Sequence, residues 1–469
     1  MSTFTGLNTA ASALAAARRG IDVTGQNIAN QTTAGYTRQR LETSAVAAVA
    51  QAGRFSMGVV PGQGVSVDGI TRLGDAVLDA RVRDALGASG FWTVRAEAAR
   101  TAEAAMAEPT KAGLAHAMSQ FWAGWQDLSN TPDEEAAAAV VLNSAEVLAG
   151  RLAAGYQAAS GQWSDLRTGV DRTVTEINTA ADQVAALNRE IRDALASGRS
   201  ANELIDRRGV LVERLARSAG AQATVETDGT MTVRVDGNAL VSGTEARHLV
   251  ASGPTDIAEG RPVTVAWAHR PDVPLTSPGG ELGGTLSVLA PADEGGTLAR
   301  LAETYNSVAT ELAERVNAQH RAGVTADGQP GGDFFSLAPD GPAALGLGVV
   351  PTNGRELALA ALGAGAYDAS NADAISQIGE GAGSPDTVWA DFVTSFGVAA
   401  SGDTQRANVA EVAAVTSVAA QQSVAGVDGD EETINLLTYQ TAYQAAARVL
   451  TAVDEALDVL INRTGVVGR

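Results

Sequence analysis

Few side chains in this sequence are equipped for chemistry, and they are scattered. His116, His248, His269 and His320 are the four histidines among 469 residues, and there is no cysteine. No two histidines stand four residues apart and no H-E-x-x-H occurs, so the helical zinc-hydrolase pattern is missing. The lack of cysteine removes disulfides and thiolate metal sites. The run "DGDEE", Asp428 to Glu432, has the acid density of a calcium loop but not its glycine at position six or its bidentate glutamate at twelve. It reads instead as a loop feeding an acidic helix start. "TADGQPGGDF", Thr325 to Phe334, lacks the GK[ST] ending of a phosphate cradle and reads as a tight surface turn. Two carboxylates could pair as in a glycosidase, but none stands in a distinctive context. The expectation is no catalytic residue, no metal and no cofactor.

One stretch does stand out. "NIANQTTAGYTRQR", Asn27 to Arg40, is dense in amides and hydroxyls and has no histidine, cysteine or carboxylate. Asn and Thr favour caps and turns because their side chains bond nearby backbone groups. Gly35 permits backbone angles closed to its neighbours, and Tyr36 can anchor a turn with its ring and hydroxyl. The stretch should end a first helix and set the direction of the chain leaving it, as a structural joint.

The elements on either side of the joint carry heptads. Leu7, Leu14, Ile21 and Ile28 recur every seven residues, with Ala10 and Ala17 at the companion position. Near the other end Leu436, Tyr443, Leu450 and Leu457 form one series, and Tyr439, Ala446, Val453 and Leu460 the other. Each chain end is thus a coiled-coil-like helix. The flanks of the C-terminal seam, including Gln440, Ala442 and Ala447, lack the charged pairs of a two-stranded coil, so this helix should pack against several neighbours.

Between the ends, helical spacing fills 90–220. One helix is expected at Leu114 to Leu128 with Met118, Phe121, Trp122 and Trp125 as core. A second should be capped by Thr131 with Pro132 in its first turn. A long helix is expected near Val170 to Ala196, and another is stopped by Gly220. Alternation and the Asp228-Gly229 turn then mark strands over about 221–290, an exposed insertion expected to be dispensable. Helix returns at Leu298 to His320 and again from about Asp403, while 337–400 is poorly periodic. The fold class is mainly α with a β insertion. Terminal coiled-coil helices (1–40 and 425–469) enclose a helical inner domain (41–220 and 291–424), with a small β-rich outer domain at 221–290.

Composition sets limits. Length allows roughly three domains of about 150 residues, and the chain is 45% hydrophobic but 4% aromatic, so Ala and Val supply much of the packing. A formal net charge of −21 repels phosphate backbones and anionic lipid, so no nucleic acid is expected as partner. No run of 18 apolar residues is seen and no membrane insertion is expected. The N-terminus lacks the order expected of a cleaved signal peptide, because Arg18 and Arg19 follow its apolar part.

These residues resemble a family. "NIANQTTAGYTRQR" is similar to the N-terminal signature of the flagellar rod, hook and hook-associated axial proteins, N-[IL]-A-N-x-x-T-x-G-Y-x-R-Q. Asn27, Ala29, Asn30, Thr33, Gly35, Tyr36, Arg38 and Gln39 match it. "DEETINLLTYQTAYQAAARVLTAVDEALDVLIN" resembles the family's C-terminal end, with Glu431, Glu432, Asn435, Leu436, Tyr439, Gln440, Tyr443, Ala445, Ala447 and Leu457 in place. "ANELIDRRGVLVERLA", "GGELGGTLSVL" and "RVNAQHRAGVTADGQPGGDFF" resemble the hook-associated, hook–filament junction branch. The resemblance implies a non-enzymatic subunit forming a ring of identical copies. It implies export unfolded through the flagellar type III apparatus and a cytoplasmic export chaperone on the C-terminal helix. Its axial neighbours would be the hook protein and a second hook–filament junction protein. The assembly contacts would then be the two terminal seams: Leu7, Leu14, Ile21 and Ile28, with Leu436, Tyr439, Gln440, Tyr443, Leu450, Val453, Leu457 and Leu460. Another axial protein, a hook or distal rod subunit, is the nearest alternative. A secreted adhesin or an enzyme on a helical scaffold is a more distant one.

Overall fold

A computed structural model of the chain describes residues 3–47, 62–365, 367–459 and 461. The first helix, α1 (Thr3–Ala29), ends in the Asn/Thr-rich stretch and leads into a hairpin of β1 (Gln39–Ala45) and β2 (Val65–Arg72). The hairpin starts inside the segment assigned to the terminal helix and runs into the one assigned to the helical domain. The residues between its strands that fall at 48–61 lie outside the described residues.

The helical body follows. It comprises α2 (Ala76–Met106), α3 (Leu114–Asn130), α4 (Glu135–Ala196) and α5 (Asn202–Ala219). Asp75 starts α2 by accepting hydrogen bonds from the amides of Val77 and Leu78. Gly220 stops α5 in a left-handed conformation, where the sequence puts it. Thr131 does not cap α4: its amide bonds the Asp127 and Leu128 carbonyls and closes α3, and α4 begins at Glu135. The helix expected near 170–196 is the second half of α4, a continuous 62-residue rod. An 18-residue window of α4 reaches a mean hydropathy of 1.3, but Leu148, Leu152 and Trp163 of the same helix are core residues.

The β segment forms two antiparallel sheets. One contains β3 (Gln222–Val225), β4 (Met231–Val235), β5 (Asn238–Ser242) and β6 (Glu245–Ala246), and the other β7 (Leu249–Ser252), β8 (Thr264–Trp267) and β9 (Arg270–Pro274). Asp228 caps the first turn, accepting from the Thr230 amide and hydroxyl. These sheets are not an appendage. Val233, Val235, Val241, Val265 and Trp267 belong to the same buried cluster as the helices, and Asn178 and Asn188 of α4 bond the Leu249 and Met231 carbonyls.

The chain returns through α6 (Gly280–Leu289) and α7 (Thr297–Ala322), then β10 (Gly323–Thr325), β11 (Phe335–Ser336), α8 (Ala343–Gly346), β12 (Gly348–Val349), β13 (Ala358–Ala361) and α9 (Ser370–Ser376). These short pieces fill the region without period. α10 (Pro385–Ala425) starts well before Asp403, with Ser384 accepting from the Thr387 amide and proline in the first turn. Its early part is set by Trp389, Phe392 and Phe396 facing the core. Trp125, Phe121, Phe334 and Phe335 pack edge to face or tilted at 4.8–6.4 Å between centroids, which confirms the α3 stripe as core.

α10 runs back along α2, tied by Arg95 to Asp403, Ser89 to Glu411 and Gln421 to Asp79. It thereby delivers the start of α11 (Gly429–Asp458) to the end of α1.

Candidate functional site

The two chain ends meet as an antiparallel pair. Asn27 of α1 bonds Glu432 of α11 across 405 residues of sequence. One heptad back along α1, Gly20 lies under the Tyr439 ring, which is one heptad onward in α11; a Cβ at Gly20 would come within 2.4 Å of it. Two further heptads on, Gly6 faces Val453 at 3.6 Å by the same measure. The contact line of α1 is therefore made of small residues, with Ala10, Ala17, Gly20, Thr24 and Asn27 buried.

The named apolar series stands one residue off this line. Leu7, Leu14 and Ile21 are half-buried and Ile28 is 37% exposed. On α11, Leu436, Tyr439, Leu450, Val453 and Leu457 are half-buried, whereas Gln440 and Tyr443 are exposed; Glu432 and Ala446 are its buried residues. Leu460 lies outside the described residues. Within the chain the contact face is displaced from these series, because glycine and alanine allow the backbones to approach closely and push the large side chains to the flanks.

The polar stretch builds the joint at the end of this pair. Asn27, 1% exposed, donates to the Gln39 carbonyl (2.8 Å) and to Glu432 Oε2 (3.0 Å). Its Oδ1 accepts from Tyr36 Oη (2.9 Å) and the Gln39 amide (3.0 Å). All four bonding positions of the amide group are engaged. Arg38 donates to Glu432 Oε1 (2.8 Å) and Glu431 Oε2 (2.6 Å), and its amide donates to the Ala425 carbonyl (2.8 Å). Asn30 accepts from Thr33 and donates to the Gln26 carbonyl, closing the last turn. Gly35 has φ of 75°, and a Cβ there would meet Val210 at 2.2 Å, so the position needs glycine twice over. Ala29, Thr33 and Gly35 are exposed; Asn30, Tyr36 and Arg38 are half-buried; Gln39 is buried. Asp428 accepts from the amides of Asp430 and Glu431, so the acidic run is a helix start.

A second anchor binds the joint to the body. Asp206 of α5, buried, accepts from the Thr37 amide (3.2 Å) and from Arg72 (2.8 Å), which also donates to the Thr37 hydroxyl. Asn202 donates to Gln39 Oε1 and the Ile70 carbonyl. Arg72, Asn202 and Asp206 of the joint and Gly20 of the seam are residues that sequence reasoning missed. The one available signal was Asp206, a carboxylate on the apolar side of "ELIDRRGVLV". Burial and the carboxylates Asp206, Glu203 and Glu432 push the Tyr36 hydroxyl up to about 12. Burial works against the Arg38 charge, yet Glu431 and Glu432 hold its pKa above the ordinary value.

The joint does line a cleft of about 790 Å³, with Ala34 and Tyr36 facing Leu187, Val210, Glu203 and Asp206. Its carboxylates are committed to structure, Asp206 as above and Glu203 to Gln26. Among the described residues no three His, Asp or Glu side chains are grouped to hold a metal. The arrangement can hold helices at a fixed angle, and Asn27, Arg38, Asp206 and Glu432 are engaged in doing so.

Comparison with known proteins agrees. The model of the flagellar hook-associated protein FlgK helical domain matches residues 99–335. Flagellar basal body rod models match both ends, at 7–37 and, as the FlgEFG C-terminal model, at 421–463. Flagellar hook-associated protein 1 of Bacillus subtilis is 28% identical over 507 residues, covering 100% of both chains. That of Salmonella typhimurium is 30% identical over 71% of this chain and 59% of its own. The flagellar hook junction protein FlgK from Burkholderia pseudomallei has the same fold, with a TM-score of 0.61 and 18% identity over 75% of this chain and 100% of that one. The helical-domain match alone spans half of the sequence, and the chain belongs to the FlgK family of flagellar hook-associated proteins.

Proposed function

We propose that this chain is a structural, non-enzymatic subunit of the bacterial flagellum that forms the ring of identical copies between hook and filament. On this reading it leaves the cell through the flagellar type III apparatus, with an export chaperone on α11 until then. It contacts hook protein on one side and the second junction protein on the other. The observation that carries the reading is the pairing of the chain ends. The joint spends its polar groups internally, while α11 leaves Ile434 at 63%, Leu437 at 58% and Val449 at 51% exposure. A helix with so much uncovered apolar surface is built to be covered by neighbours. The half-buried Leu7, Leu14 and Ile21 beside the seam add to that surface.

The test is deletion of the gene and complementation with a tagged copy. Deleted cells should bear hooks without filaments and release filament protein into the medium. Immunogold against the tag should mark one band where hook meets filament. Normal filaments in the deletion, or label spread along the hook, would overturn the proposal.

A further inference from the structure

We infer that two contacts, Asn27–Glu432 and Gly20–Tyr439, select the register of the terminal helix pair against a slip of one heptad along the seam. The α1 positions facing α11 recur every seven residues: Gly6 and Gly20 meet Val453 and Tyr439, Asn27 meets Glu432, and Ala13 stands at the intervening heptad position. Such a seam has little shape to resist a shift of seven residues, since each step presents another small side chain in nearly the same place.

Two features break that degeneracy. The first is polar. Glu432 is 2% exposed, and its oxygens are met by Asn27 at 3.0 Å and Arg38 at 2.8 Å. Slid one heptad toward the start of α1, Glu432 would lie over Gly20 and lose Asn27 and Arg38, keeping only Asn435 of its own helix at 3.5 Å. A buried carboxylate stripped of its partners is strongly disfavoured, on the order of a hundredfold or more in population. A lone polar pair in a helical seam is a known way to choose one register. The second is steric. The Tyr439 ring fills the space a side chain at Gly20 would occupy, at 2.4 Å from a Cβ built there. A heptad slip brings Tyr439 over Asn27 or Ala13, where that space is taken. The two contacts thus penalise the same slips, one through charge and one through volume. This inference concerns pairing within one chain and goes beyond the assembly role.

The cysteine-free sequence allows a direct test by cross-linking in the full chain, both dilute and assembled. Ala13→Cys with Ala446→Cys reports the observed register. Ala13→Cys with Val453→Cys, and Gly6→Cys with Ala446→Cys, report the two slipped ones. In the parent background the first pair should dominate by more than about tenfold. Adding Glu432→Leu or Gly20→Leu should each reduce that ratio. Adding both should bring slipped and in-register products to within about threefold, with helix content retained. A double variant that still cross-links in the observed register alone would overturn the inference. So would loss of all three products, because these residues would then govern pairing and not register.

Discussion

Replacing Asn27 with alanine should melt the joint while leaving the helical body intact. The substitution removes a donor from the Gln39 carbonyl and an acceptor from the Gln39 amide, both buried. It also takes one of two strong partners from Glu432 and the acceptor of the Tyr36 hydroxyl. Each buried backbone group left unpaired costs about 1–3 kcal/mol, so the two Gln39 groups alone cost about 2–6 kcal/mol. The loss is local. Asn27 touches α1, the β1–β2 hairpin and the start of α11, whereas the aromatic core around Trp125 has no bond to it. Hydrogen exchange is the assay, since it resolves local opening from global unfolding. Amides of β1 from Gln39 to Ala45 should lose protection by about 30-fold or more, the equivalent of 2 kcal/mol at the low end. Amides of α4 and α7 should not change. Unaltered exchange in β1, or an equal rise across α4, would refute the assignment of Asn27 as the centre of the joint.

Tyr439→Asp exchanges the ring over Gly20 for a carboxylate and forfeits about 2 kcal/mol of apolar burial. It should abolish incorporation into filament-bearing cells while the melting of the helical body, followed by circular dichroism, stays as in the parent. His320 is 1% exposed, with Nδ1–H donating to the Gly332 carbonyl and Nε2 accepting from the Ala358 amide. Burial lowers its pKa below the unfolded value of 6.5, outweighing the Gly332 carbonyl and Asp333. The unfolded chain therefore binds more protons, and stability is lost as pH falls from 6.5 toward the folded pKa. Urea midpoints at neutral pH and at about pH 5.5 should differ more in the parent than in His320→Gln, which keeps a donor and an acceptor. Leu148→Ala, at a fully buried site on α4, should cost about 2–5 kcal/mol, read as a lower denaturant midpoint with unchanged exchange in α1 and β1.

Parts of this architecture were legible because they depend on local signals. Gly220, the Asp228-Gly229 turn and the Met118/Phe121/Trp122/Trp125 stripe behave as their residue types require. Thr131 misleads because cap chemistry is shared by both helix ends: its hydroxyl and amide both satisfy the Asp127 carbonyl behind it. The early half of α10 carries helix signals of its own, Ser384, Pro385 and the spacing of Trp389, Phe392 and Phe396, and is overlooked because it directly follows the Ala/Gly-rich, aperiodic stretch. The joint was legible only in part. Asn27 to Gln39 announce a turn, but Arg72 and Asp206 lie far along the chain and join it only through tertiary packing.

The displaced seam is the most informative difference between the heptad pattern and the contact within one chain. Sequence reasoning weights large apolar residues, so Leu7, Leu14 and Ile21 define the face. The structure weights distance between backbones, so Gly20 and Ala17 do. Both have a role if two kinds of neighbour are to be served. The glycine and alanine line accepts α11 of the same chain at close range, leaving the leucine line half-uncovered at its edge. Covering that edge takes no rearrangement of the first contact. An intrachain pair built on large residues would bury them at once and leave little apolar surface for a second partner. Small residues inside and large ones beside them let the pair form first, held by Asn27 and Glu432. The same helix then offers about 1 kcal/mol, roughly half of full burial, for each half-buried leucine it later covers.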